Sequence, residues 1–154
     1  MATLKLSDDF YEPAFSLIAI HCSAEACRLA YFLNAGLGIR LKRMIRDDVR
    51  ENDLLSEYYE WENDMDEVVW ALVVNAARSV VSLAGENLFS ADQLTVTRYL
   101  VPELKKVDCF LKIDNAEGED HGSTVVCKIN KIPQVTTAYE VDVNQLKSKH
   151  NLIF

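Results

Sequence analysis

At 154 residues the chain has the length of one domain with a real core, and its 49% hydrophobic and 26% charged content is ordinary for a globular protein. A net charge of −8 argues against non-specific binding to nucleic acid or to an anionic membrane, since both need a basic surface. No run approaches the roughly 18 apolar residues of a membrane span, and the first residues lack the basic-then-apolar order of a signal peptide.

In chain order, residues 3–6 read as a short edge strand. Ala14–Cys22 is almost continuously apolar, the pattern of a central strand covered on both faces. Ser23 is the expected N-cap of a helix over Ala24–Ala35, with Ala26, Leu29, Ala30, Leu33 and Leu37 at helical spacing. Asn34, Gly36 and Gly38 supply its stop signal. Ile39–Ile45 alternates Ile39, Leu41, Arg43 and Ile45 with Arg40, Lys42, Met44 and Arg46, and predicts a basic strand. Asp47–Asp53 reads as a charged loop. Leu54–Glu62 and Glu67–Ala77 predict a hairpin turning at Asn63-Asp64-Met65-Asp66, its acidic first strand lying at a sheet edge. Val68–Val74 is the most β-prone run of the chain.

Residues 78–100 carry mixed signals. Gly85-Glu86-Asn87 marks a turn and Ser90–Gln93 resembles a capping box, but Thr95-Val96-Thr97 favours extended chain. The expectation is a loop followed by a strand ending at Val101. Pro102 then opens a helical turn and forces Val101 into extended backbone. From Val107 an alternating strand places Val107, Cys109, Leu111 and Ile113 on one face and Asp108, Phe110 and Lys112 on the other. Asp114–Gly122 reads as an acidic loop, Ser123–Ile132 as a helix ended by Pro133, and Val135–Val141 as a strand. Asp142 is placed to cap a turn within Asn144–Lys149, and Leu152-Ile153-Phe154 is apolar enough to dock. The order of elements predicts an α+β fold: a single domain over 1–154, mainly antiparallel sheet, with two helices packed on one face.

The four cysteines form no CxxC pair and read as reduced, mostly buried thiols of a cytoplasmic protein. His21 stands beside Cys22, but neighbours in a strand point to opposite faces, so the two cannot act as base and nucleophile. The three histidines lack zinc spacing, and neither Asp47–Asp53 nor Asp114–Asp120 has the alternating ligands and turn glycine of a calcium loop. Gly36-Leu37-Gly38 fits no phosphate-binding pattern, and there is no GxSxG elbow. No catalytic residue, metal or cofactor is called for.

Candidate binding residues remain. The acidic region 47–67 is either a solvated face or a docking surface for a basic partner. Tyr58 and Trp61 on the hairpin are interface anchors if they face outward, and core if they do not. Arg40, Lys42 and Arg46 alternate along the predicted strand and could meet an anion or an RNA backbone, although no interleaved aromatics offer stacking. Glu103 and Asp108 are the pair on which a small enzyme or ligand site would be built. Their bland reading is that Glu103 caps local N–H groups and Asp108 pairs with a lysine or arginine.

The stretch Val101-Pro102-Glu103-Leu104-Lys105-Lys106-Val107-Asp108-Cys109 resembles the signature of the IPExxxVDY family, small proteins of Bacteroidota without an assigned activity. Pro102, Glu103, Val107 and Asp108 match that signature. Val101 replaces its isoleucine and Cys109 its tyrosine. The first strand, the Cys22…Arg28-Leu29-Ala30…Leu33 helix and the stretch from Ile132-Pro133 to Phe154 are also similar to the family, and residues 78–95 least so. The resemblance implies no catalytic residues. The combined expectation is a cytoplasmic, non-enzymatic binding or adaptor protein that acts through a protein partner, without membrane or nucleic-acid binding. The alternatives are a small enzyme or ligand-binding domain using Glu103 and Asp108, or an RNA-associated factor.

Overall fold

The structure, a computed structural model, describes residues 15–45, 57–82, 93–115 and 121–154. The elements are β1 (Phe15–Cys22), α1 (Ala26–Leu37), β2 (Lys42–Arg43), β3 (Tyr58–Asn63), β4 (Val68–Val74), β5 (Ala76–Ser82), β6 (Gln93–Tyr99), β7 (Cys109–Asp114), α2 (His121–Asn130) and β8 (Val135–Val141). Single helical turns follow at Pro102–Leu104, Val143–Gln145 and Lys149–Leu152. Six strands form one sheet in the order β2-β3-β4-β7-β1-β8, and β5 and β6 pair as a separate ribbon. Every pairing is antiparallel. The fold is α+β, with both helices on one face of the sheet.

The continuous apolar run of β1 follows from its place between β7 and β8, where Leu17, Ile18, Ala19 and Ile20 are fully buried. Ile18 and Ile20 face the helices, among Leu29 and Leu33 of α1 and Val125 and Ile129 of α2. Leu17 and Ala19 face the other way, into a second core with Val73, Phe110, Leu100, Val101, Leu146 and Leu152. Among the described residues no α-helix covers that second face. The 100–107 corner and the chain after β8 do so instead.

The structure corrects several boundaries. Ser23 does not cap α1. The extended residue before the helix is Glu25, without a side-chain cap bond. The chain turns earlier because the Cys22 sulfur accepts the Ala24 N–H. The stop works as read: Gly38 has φ +68° and its N–H donates to the Asn34 carbonyl, a left-handed closure that glycine adopts without strain. The basic strand shrinks to Lys42–Arg43. Ile39 and Leu41 are buried, but Arg43, Met44 and Ile45 are exposed, because among the described residues no strand lies beyond β2 to cover them. That short strand is the edge, so the acidic β3 is not. Residues 76–82, read partly as loop, form β5, and the strand before the corner ends at Tyr99 rather than Val101. Alanine and serine in β5 carry little strand signal, and its partner β6 supplies the pairing. Val107 joins Phe110 in the second core, not Cys109, because β7 begins at Cys109 and the Val107 N–H still bonds the Leu104 carbonyl. The second helix runs two residues ahead of expectation. The expected strand at 3–6, the loop 47–53, Arg46 and the signals at 85–87 and 90–92 lie outside the described residues.

The same side-chain device recurs beside both outer strands. Asn34 near the end of α1 accepts the Leu41 N–H (2.8 Å) and donates to the Leu41 carbonyl (3.2 Å), just before β2. Asn130 at the end of α2 does the same to Ala138 of β8, with both bonds at 2.9 Å. A carboxamide so placed imitates one rung of a neighbouring strand. Asn130→Ala should cost about 1–2 kcal/mol, the cost of leaving two part-buried backbone groups unpaired. Urea unfolding with an unchanged slope checks it.

Candidate functional site

The corner that carried the sequence resemblance is built around Asn75, which is fully buried. Val101 is extended (φ −120°, ψ 92°) and Pro102 sits in the first turn, as the proline dictates. Asn75 Nδ2 donates to the Leu104 carbonyl (2.8 Å) and the Val107 carbonyl (3.0 Å), and Oδ1 accepts the Val101 N–H (3.0 Å). Its backbone adds a bond to the Asp108 carbonyl (3.0 Å) and one from the Leu100 N–H (2.8 Å).

The two carboxylates of the corner serve different elements. Glu103 accepts the Ser148 hydroxyl at 2.8 Å, which ties the corner to the chain after β8. Asp108 accepts the Cys22 N–H at 2.9 Å, which ties it to the end of β1. Neither does what the sequence led one to expect: Glu103 takes a distant hydroxyl rather than local N–H groups, and Asp108 takes a backbone N–H rather than a cation. Both choices are tertiary, since each partner lies far away in the chain.

The hairpin aromatics are mainly structural. Tyr58 is buried in the second core, its ring edge-on to Phe154 at 5.5 Å and its hydroxyl bonded to Glu60. It is therefore not an outward anchor. Trp61 is half-buried, paired across the hairpin with Trp70 and packed on the helix-side core. Arg40 and Lys42 are exposed, with Lys42 directly opposite Glu60 in the β2–β3 pair.

The thiols divide evenly. Cys22 and Cys109 are buried, but Cys27 and Cys127 are exposed on the outer faces of their helices, which corrects the expectation of mostly buried cysteines. Burial pushes the Cys109 thiol up to about 12, with Asp108, Cys22 and Glu57 adding to the rise, so it is no nucleophile near neutrality. A thiol reagent at about pH 8 should modify Cys27 and Cys127 in the native protein and all four cysteines after denaturation, as read by intact mass. Among the described residues, no three His, Cys, Asp or Glu side chains gather to hold a metal ion. No described helix is long and apolar enough to cross a membrane.

A different surface has the character of a binding site. A groove of about 530 Å³ lies between the second half of α1 and the α2–β8 connection. It is lined by Phe32, Ala35 and Gly36 on one side and by Ile132 and Pro133 on the other, with Lys128, Lys131 and Gln134 beside them. Gly36 faces the Ile132 side chain, and a Cβ there would meet it at 3.4 Å, an ordinary contact distance. The Lys131 N–H bonds the Lys128 carbonyl, so one helical turn carries both lysines. Among the described residues no carboxylate lines the groove and neither lysine enters an ion pair. Tyr31, 69% exposed, stands edge-on to Phe32 at 5.7 Å and extends the apolar floor outward. An aromatic ledge over an apolar floor is the make-up of a protein-contact patch, and the two lysines beside it add a charge that a partner can match. A second hollow, of about 440 Å³ at the far end of β8, is lined by Phe15, Ser16 and the run Glu140–Asn144, in which Glu140, Asp142 and Asn144 alternate with Val141 and Val143.

The sequence held half of this signal. Lys128 and Lys131 stand three apart before Ile132-Pro133, but Phe32 and Tyr31 come from the first helix, and only the packing of α1 beside α2 brings them there. No family model, no curated protein and no solved structure matches the chain.

Proposed function

We propose that the protein is a non-enzymatic binding or adaptor protein of the IPExxxVDY type, acting in the cytoplasm on a protein partner held in the Phe32–Ile132 groove. The observation that carries this reading is the groove itself: apolar floor, exposed Tyr31 beside it, and Lys128 and Lys131 without ion-pair partners among the described residues. A ligand site on Glu103 and Asp108 has less support, because each carboxylate already holds a different structural element. Exposed Arg40 and Lys42 keep an RNA-associated role as the weaker alternative, set against a net charge of −8.

Affinity capture at low salt tests the reading. The wild-type protein should retain a partner that Lys128→Glu/Lys131→Glu loses and that Arg40→Glu/Lys42→Glu keeps. Reversing two exposed cations at a contact should weaken it about ten-fold or more. Identical recovery by wild type and the groove variant would overturn the assignment.

A further inference from the structure

The protein carries a surface complementary to its own groove. The β3–β4 tip presents Met65, 90% exposed, between Asp64 and Asp66, with Glu62 and Glu67 alongside. It is an apolar knob ringed by carboxylates, where the groove is an apolar floor beside two ammonium groups. The tip is also held in shape before any contact. Asn63 Oδ1 accepts the Met65 N–H (3.2 Å), Asn63 Nδ2 donates to Asp66 (3.0 Å), and Asn115 Nδ2 donates to the Glu67 carbonyl (3.2 Å). A knob already ordered avoids much of the entropy cost of docking.

The strand register decides where the two surfaces lie. Val69 beside the tip pairs with Asp114, which pairs with Phe15 at the start of β1. The groove adjoins the start of β8, where Val135 pairs with Cys22 at the opposite end of β1. Tip and groove are therefore at opposite ends of the sheet, and one copy cannot fill its own groove. A two-fold pair that set each tip in the partner's groove would close both contacts at once. We propose that the occupant of the groove is the Asp64–Glu67 tip of a second copy of this chain. This rests on reading the groove as a protein-binding surface, and it names the partner.

Sedimentation velocity over a concentration series is the test. It belongs at about 0.15 M salt, where repulsion between copies of net charge −8 is screened beyond roughly 8 Å while contact pairs persist. The wild type should shift from 17.4 kDa toward twice that mass as concentration rises. Asp64→Lys/Asp66→Lys and Lys128→Glu/Lys131→Glu should each weaken association about ten-fold or more. Met65→Ser should weaken it without changing charge. An equimolar mixture of the two charge-reversed proteins should regain association, which also shows that both are folded. A wild type that stays monomeric, reversals without effect, or a mixture that fails to recover would each overturn the proposal. If the wild type is monomeric while Lys128→Glu/Lys131→Glu still loses a captured partner, the groove keeps its role and only the second copy is excluded.

Discussion

Asn75→Ala should destabilise the protein by about 3–5 kcal/mol, a large share of the roughly 5–15 kcal/mol that holds a domain together. The substitution removes few atoms but strands three backbone groups: the Val101 N–H and the carbonyls of Leu104 and Val107. Val101 and Val107 are buried, so water cannot replace the amide at their groups without opening the corner. Each buried group left unpaired costs about 1–3 kcal/mol. Asn75→Asp should do no better, since it sets a carboxylate oxygen against two carbonyls. Urea unfolding of the two variants checks this, and a loss below about 1 kcal/mol would show that the corner is held by its proline and packing alone.

Lys112 gives the second large effect, and the replacement chosen decides its size. The side chain is only 4% exposed in the middle of β7. Its ammonium lies 4.7 Å from the Phe15 ring centroid and 4.5 Å from that of Phe154, with Asp114 Oδ2 at 3.4 Å. Lys112→Ala should cost about 2–4 kcal/mol, because it removes the packed stem together with both cation–π contacts. Lys112→Met should stay within about 1 kcal/mol of wild type, since it keeps most of the volume and no longer buries a charge. Equal losses from both replacements, measured by thermal unfolding, would show that the charge rather than the stem holds Phe15 and Phe154 together.

These two residues show how far the sequence could be read. Pro102, the extended Val101 before it and the alternation of Cys109, Leu111 and Ile113 were legible, because φ restriction and period-two patterning act between near neighbours. The role of Asn75 was not, because nothing adjacent to it marks it as the partner of residues 101–107. Lys112 read as part of the face opposite Cys109, which is correct, but its burial depends on a ring arriving from Phe154. The aromatics of β3 misled for the same reason. Tyr58 is core only because the chain after β8 returns across the sheet.

By itself, then, the amino-acid order determined the α+β class, the run of β1, the stop at Gly38, the turn at Pro102 and the strand Val135–Val141. Each is written in local stereochemistry or in hydrophobic periodicity, and both act over a few residues. Only the tertiary structure decided that the second face is closed by a corner and a returning chain. It alone decided that Glu103 and Asp108 are ties to distant elements, and that Phe32 meets Ile132 beside two lysines. Those outcomes depend on hydrogen bonds and contacts between residues widely separated in the chain, and no local pattern encodes which distant partner a buried polar group or an exposed ring will meet.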